Sequence, residues 1–413
     1  MKAEGLGRGE TLLTGGARFE RSPGLLARLF APGFHKVLDR IDAGLESGSI
    51  TGHLPDGTTR LLGGRNPGFA AEVMIRDWRA LMRLATNGSI GWYQAWEAGE
   101  WDSPDPVPIF ALFMANGDAL GDTGRARGPF RWAARLAHWM NRNTHEGAAR
   151  NIHAHYDLGN DFYAAWLDPT MSYSSAIWAD GDDLEAAQRR KWAKLAERLG
   201  EPETLLEIGC GWGGLSDRFA RGGAQVTGIS LSDEQLDWAR RRHDPAIDFR
   251  RQDYRDVTGQ YDAIVSVEMV EAVGREYWPG FFDCIARCLK PGGRAAIQFI
   301  AMKDSLFDAY AASADFIQAY VFPGGLLIRT REFEQLARER GLTWQDCSSF
   351  GVDYAETLKV WRERFDAAAA EGRLPVEFDA RFRRLWRYYL MYCEGGFRGG
   401  GIDVHQVTLV KEG

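Results

Sequence analysis

Two kinds of periodicity divide the chain. From about Asp183 onward, segments with apolar residues at helical spacing alternate with short apolar runs of strand length. The helix EAAQRRKWAKLAERLG leads to the strand TLLEIG, GLSDRFARGG leads to QVTGIS, and SDEQLDWARRR leads to IDFRRQD. YDAIVSVEM is a further apolar strand. The helix WPGFFDCIARCL ends at the turn Lys290–Gly293 and is followed by the strand RAAIQFI. VHQVTLVKE reads as a last strand after the helical run Glu377–Met391. This alternation predicts an α/β fold, a doubly wound and mostly parallel sheet with helices on both faces.

Residues 1–115 follow another pattern, that of a small α+β domain. Helical spacing over Leu25–Ile41 is broken at Pro32. Two strand-like pieces follow, SITGHLPDGTTRLL and AAEVMIRDW, the first turning at Pro55–Gly57. A second helical piece and an aromatic-rich loop close the domain at Gly91–Asp102. Residues 116–150 open as a Gly-rich linker and continue as a basic amphipathic helix. It carries Phe130, Trp132, Leu136, Trp139 and Met140 beside Arg125, Arg127, Arg131, Arg135 and Arg142. Such a helix suits a membrane surface; the alternative is a helix packed on its neighbour with a solvated basic face. Residues 151–413 make up the larger α/β domain.

Composition narrows the function classes. With 45% hydrophobic and 26% charged residues, the chain is that of a folded globular protein. Its net charge of −7 gives no general attraction to polyanions, so no nucleic-acid partner is expected. MKAEGLGRGE lacks the apolar core of a signal peptide. No window approaches the roughly 18–20 apolar residues of a membrane span. The expectation is a cytoplasmic protein that touches a membrane without crossing it. The five cysteines are scattered, and although Cys284 and Cys288 share a helix face, no second pair completes a metal site. Reduced thiols and no metal are expected.

The chemistry concentrates around LLEIGCGWGG, Leu205–Gly214. Gly209, Gly211 and Gly213 allow a tight turn and close approach of a ligand to the backbone, at the carboxyl end of a strand where open parallel sheets bind ligands. Glu207, just before the glycines, can hold an ammonium group. Asp253 of QDYRD can accept from an adenine amino group. The strand GISLSDEQ ends without the usual acid for a ribose, leaving Ser230 and Gln235, or Asp233, for that task. An acid before G-x-G-x-G, with KPGG ahead of a later strand, resembles methyltransferases of the doubly wound type.

HYDLGNDFYAAWLDPTMSYSSAIW, LEIGCGWGGL, GISLSDEQ, QDYRD, SVEMVEAVG, FIQAYVFPGG, FGVDYAETLKVWRERF and YYLMYCEGGFR occur in order over the second half of the chain. In these segments the sequence resembles the cyclopropane-fatty-acid synthase family. The resemblance implies a seven-stranded Rossmann-like methyltransferase sheet with S-adenosylmethionine as cofactor. It also implies methyl transfer to the cis double bond of a phospholipid acyl chain, with loss of a proton closing a cyclopropane ring. Tyr173 and Ser174 match residues that close over the cofactor. Aromatic faces that can stabilise a cation come from Phe316, Tyr320, Phe322, Tyr354, Trp361, Tyr388, Tyr389 and Tyr392.

In that family a bound bicarbonate accepts the proton, held by a Cys, a Glu, a His, a backbone amide and a Tyr. Carried over, Glu271 matches the Glu, Tyr354 the Tyr and Ile300 the backbone position. Ser175 stands for the Cys and Gln298 for the His; both still offer donors, so bicarbonate remains a candidate ligand. Ala272 replaces a second His. Glu268, where the bacterial pattern has Gly, adds an acid three residues before Glu271. Paired carboxylates can raise one pKa to suit a base, and the alternative for Glu268 is a salt-bridged structural residue.

The expected partners are unsaturated phospholipid acyl chains, reached by transient contact with the inner membrane face, and a homodimer is a candidate assembly. Other readings stay open. A hydride shift before proton loss would give a methyl- or methylene-branched chain, including a furan or branched fatty acid precursor. The acceptor could be a soluble small molecule. The protein could also be a lipid-binding or regulatory one with an inactive cofactor fold.

Overall fold

The computed structural model describes residues 31–121 and 158–413, with side chains from Gly33 onward in the first segment. The helix expected over Leu25–Ile41 is described from Ala31 and runs to Gly44. The basic helix with Arg125–Arg142 lies outside the described residues.

The described residues divide into two units. One comprises 158–304, 324–375 and 403–413. Its seven-stranded sheet has the order β10-β11-β9-β8-β5-β6-β7. These strands are β5 (Thr204–Ile208), β6 (Gln225–Ser230), β7 (Asp248–Arg251), β8 (Tyr261–Val267), β9 (Leu289–Met302), β10 (Leu342–Ser349) and β11 (Ile402–Lys411). β5 pairs in parallel with β6 and β8, as do β6 with β7 and β8 with β9; β10 and β11 are antiparallel. The runs LLEI and AIVS are buried on both faces, as a parallel sheet covered by helices requires. Leu205, Ala263, Val265 and Ala296 form its core with Leu195 and Leu236 from the covering helices. The helix Leu184–Leu199 starts at the Asp183 cap, whose carboxylate accepts from Ala186 N at 2.8 Å. The expected turn Lys290–Gly293 is absorbed into the start of β9, where pairing with β8 shifts register between Tyr261 and Ala263.

The other unit comprises 31–121, 305–323 and 376–402. Its sheet has the order β2-β1-β3-β4, from β1 (Ser49–His53), β2 (Thr59–Gly63), β3 (Ala70–Ile75) and β4 (Trp101–Asp102). β1 and β2 form a hairpin over the Pro55–Gly57 turn, with Thr58 N donating to Asp56 Oδ1 at 2.9 Å. The contiguous division at residue 115 therefore differs from the packing, because two later segments complete this unit. The helix Ala380–Arg398 lies against Val107–Ala115 so closely that a Cβ on Gly395 would sit 2.4 Å from Phe110 Cβ. Tyr388 of that helix packs its ring on Tyr93, Phe110 and Phe316. Phe316, Tyr320, Tyr388 and Tyr392 thus belong to this unit, while Tyr354 and Trp361 belong to the other. Among the described residues, no helix is long and apolar enough to cross a membrane.

Candidate active site

Strand order reverses between β5, which leads outward to β6 and β7, and its other neighbour β8. Ligands of open α/β sheets bind beyond the carboxyl ends of the strands at this switch. Two loops meet there, Gly209–Gly213 after β5 and Glu268–Glu271 after β8. A Cβ on Gly209 would lie 2.4 Å from Met269 Cγ, so the two loops touch.

The glycine loop is built to receive a ligand. Gly209, Gly211 and Gly213 all have positive φ, of 82°, 52° and 84°. Gly209 N and Cys210 N both donate to Ile229 O, at 3.0 and 2.9 Å, which ties the loop to β6. A Cβ on Gly211 would meet nothing within 4 Å, so the backbone there borders open space. Glu207 is buried and accepts from Ser216 Oγ. Burial pushes its carboxyl up to about 8, which a nearby cation would reverse. An open glycine cradle beside a buried acid fits S-adenosylmethionine, whose methionine end carries an ammonium group.

Ser230 ends β6 and hydrogen-bonds Gln235 Oε1 at 3.3 Å, in the first turn of the helix Asp233–Arg242. Asp233 is more than half exposed and pairs with Arg251 at 3.3 Å, so of the two ribose alternatives half-buried Ser230 and buried Gln235 are the more enclosed. Asp253 is buried and caps its own turn, accepting from Arg255 N at 3.0 Å and Arg255 Nε at 2.8 Å.

The segment 173–178 is pinned to the helix Gly351–Ala370. Ala176 N donates to Thr357 Oγ1 at 3.1 Å, and Trp178 N to Asp353 Oδ2 at 3.2 Å. Tyr173 packs its ring against Tyr163, Trp166 and Trp361. Ser174 Oγ accepts from Lys191 Nζ at 2.6 Å. Lys191 is 1% exposed, and burial lowers its ammonium to about 8. Sequence reasoning missed it, although its signal was there: Lys191 falls in the apolar stripe Leu184, Ala187, Leu195, Leu199 of its helix.

The acids form the centre of the arrangement. Glu268 follows β8 with φ of +52°. Its Oε1 accepts from Ser175 N at 2.9 Å and Gln298 Nε2 at 2.8 Å, and its Oε2 from Tyr354 OH at 2.7 Å. Gln298 is oriented in turn by Gln406, whose Nε2 donates to Gln298 Oε1 at 3.0 Å. Glu271 Oε1 accepts from Ile300 N, while its buried Oε2 has no hydrogen-bond partner among the described residues. Burial, then the charge of Glu268, push Glu271 up to about 8; burial also raises Glu268.

All six expected catalytic positions therefore gather in one cluster, with three departures from expectation. Ser175 offers the cluster its main-chain N–H, because its hydroxyl donates to Ala176 O at 2.9 Å. Ile300 N binds a glutamate of the chain. Among the described residues Glu268 is held by three neutral donors and not by a salt bridge, and those donors include most of the set expected to hold bicarbonate.

The family described as mycolic acid cyclopropane synthetase matches residues 143–407. The chain belongs to that family. It is an S-adenosylmethionine-dependent methyltransferase of the cyclopropane-synthase type. Tuberculostearic acid methyltransferase of Mycobacterium tuberculosis is 38% identical over 87% of this chain and 89% of its own length. Cyclopropane-fatty-acyl-phospholipid synthase of Escherichia coli is 33% identical over 84% of this chain and 89% of its own. A mycolic acid cyclopropane synthase solved with SAH and CTAB superposes with a TM-score of 0.59 at 28% identity, covering 64% of this chain and 98% of that one.

Proposed function

We propose that the enzyme transfers a methyl group to the cis double bond of an unsaturated acyl chain in membrane phospholipid. The observation that carries this reading is an acid pair, half-buried Glu268 and buried Glu271, beside an open glycine cradle, with Glu268 hydrogen-bonded to Tyr354, whose ring packs on Trp361. Methylation of an oxygen or nitrogen needs a base at the acceptor atom. A pair of carboxyls among aromatic rings instead suits a carbocation, which needs shielding from water, π faces and a proton acceptor.

Bound S-adenosylmethionine supplies an electrophilic methyl group on a sulfonium. The chain's residues do the rest. Gly209–Gly213 and Glu207 seat the methionine end, while Ser230, Gln235 and Asp253 receive the nucleoside. Tyr173 and Ser174 close the near side, and Lys191 holds Ser174. The acceptor alkene lies against Tyr354 and the acid pair. The relatives named as a cyclopropane-fatty-acyl-phospholipid synthase and a tuberculostearic acid methyltransferase support a lipid acceptor. In this reading the enzyme works from the cytoplasm at the inner membrane face, with residues 1–115 and the basic helix of 116–150 as the membrane-associating part.

A second reading concerns the product. The donor set around Glu268 departs from the cyclopropane-synthase pattern at Ser175 and Gln298, which favours a different fate for the same cation: a hydride shift and a methylene- or methyl-branched chain. The test is expression in a host rich in cis-monounsaturated phospholipid, with mass spectrometry of the fatty acids. A gain of one methylene unit is expected. If the gain resists mild hydrogenation the product is a ring, and if it takes up hydrogen it is a methylene branch. Unchanged lipids would overturn the reading.

A further inference from the structure

We propose that the Glu268 carboxylate is a built-in replacement for bicarbonate and is the group that takes the proton from the alkylated acyl chain. This rests on the lipid-methylation reading above. The family resemblance assigns a bicarbonate to donors at positions 175, 298, 300 and 354, with Glu271 beside it. In this chain those donors are already spent. Ser175 N, Gln298 Nε2 and Tyr354 OH converge on Glu268 at 2.7 to 2.9 Å, and Ile300 N is engaged by Glu271. A tyrosine hydroxyl and a main-chain amide each have one proton to give. A separate bicarbonate would have to displace a carboxylate that is covalently part of the chain.

The backbone points the same way. Glu268 adopts φ of +52°, a left-handed conformation that glycine takes freely and other residues rarely adopt. The surrounding structure over-determines it: Glu268 N donates to Gln298 O at 2.8 Å while three donors fix the carboxylate. Strain retained in this way marks positions where the side chain is needed. The family's glycine at this position has no side chain and leaves the space for a free anion.

The charge also settles on Glu268. Of two adjacent carboxyls one has its pKa strongly raised, so the pair carries about one negative charge. Glu268 has three donors to stabilise the ionised form, whereas Glu271 has one, and Glu271 Oε2 is left without a partner among the described residues. Lys191 lies near enough to favour the Glu268 anion. After methyl transfer the acyl chain carries a new methyl group and a neighbouring cationic carbon. One C–H bond of that methyl breaks and its electron pair closes the cyclopropane ring, or forms an exocyclic double bond after a hydride shift. The proton goes to Glu268, leaving a neutral carboxylic acid that returns it to water when product leaves.

The test compares wild type, Glu268→Gly and Glu268→Gln, with 13C-labelled bicarbonate as the probe. Wild type in carbon dioxide-stripped buffer should keep its activity and should not broaden the bicarbonate NMR line. Glu268→Gly, which relieves the backbone strain and reopens the anion space, should broaden the line saturably and regain at least tenfold in activity when bicarbonate is added. Glu268→Gln should be inactive and unrescued, because its amide fills the same space. Bicarbonate binding to wild type, or loss of wild-type activity on stripping, would overturn the proposal even if neither variant folds. The NMR readout needs no lipid turnover, so it separates failure of this proposal from failure of the lipid reading.

Discussion

Glu271 is buried, with one oxygen on Ile300 N and one without a partner among the described residues. Glu271→Gln, which alters the neighbour of the Glu268 base and not the base itself, should lower turnover at least tenfold while leaving S-adenosylmethionine affinity within about twofold, measured by calorimetry; lost cofactor binding would refute its place beside the acceptor. The group should also set part of the pH dependence of stability. Its carboxyl sits near 8 in the fold against 4.5 for an ordinary glutamate, so between those values the folded protein holds a proton the unfolded chain has released. The stability it gives is complete below 4.5 and is lost as pH rises through 8. Glu207 has the same sign, whereas Lys191, lowered to about 8, penalises the fold below that pH and is relieved towards 10.5. Thermal melts of Glu271→Gln should therefore fall less steeply than wild type over this range; parallel curves would show that Glu271 does not titrate as described. Lys191→Met removes the ammonium on Ser174 Oγ and a charge that favours the Glu268 anion; activity should drop at least tenfold, and wild-type activity would rule out its positioning role.

At the scale of elements, the loop after β5 makes a sharper prediction than any single contact. Gly211→Val directs a branched side chain into the open space at a positive φ, so cofactor affinity should fall by at least tenfold, read by equilibrium dialysis. Unchanged affinity would mean the cofactor lies elsewhere. This loop and its flanking strands were legible in the sequence, because strand, turn and helix signals are local and the parallel sheet leaves continuous apolar runs. The acid cluster was legible only as a set of names. Glu268 reaches Ser175 and Tyr354 across 93 and 86 residues of chain, and no local pattern states that the three converge. For the same reason Ser175 was assigned through its hydroxyl, whereas the fold turns its main-chain N–H to the site. Lys191 was visible as a charge in an apolar stripe, but its partner Ser174 was not.

For the whole molecule, the unit around β1–β4 is assembled from three separate segments of the chain. Sequence pattern divided the protein near residue 115 because helical spacing in Ala380–Arg398 carries no mark of which sheet it will cover. The consequence is that a fragment of residues 151–413 should not behave as a separate domain. Its helix Ala380–Arg398 would lose Val107–Ala115 and expose the face at Tyr388 and Gly395. Expressed alone, it should aggregate or bind a hydrophobic dye strongly; a soluble, cooperatively melting fragment would contradict this account. Gly395→Leu in the full chain should lower the melting temperature by several degrees through the same contact, since a side chain there meets backbone and Phe110 Cβ.

The same interleaving sets a timetable for the protein's birth. The strands β1–β4 are made well before the helix that packs against Val107–Ala115, since Ala380–Arg398 follows only after most of the seven-stranded sheet. At ordinary elongation rates the wait is on the order of a quarter of a minute to a minute. Throughout that interval the apolar faces of Val107–Ala115 and the Trp92/Trp96/Trp101 cluster stand without their final cover. The nascent chain is therefore a natural client for chaperones that hold hydrophobic segments, and this unit is completed only after most of the other has been made.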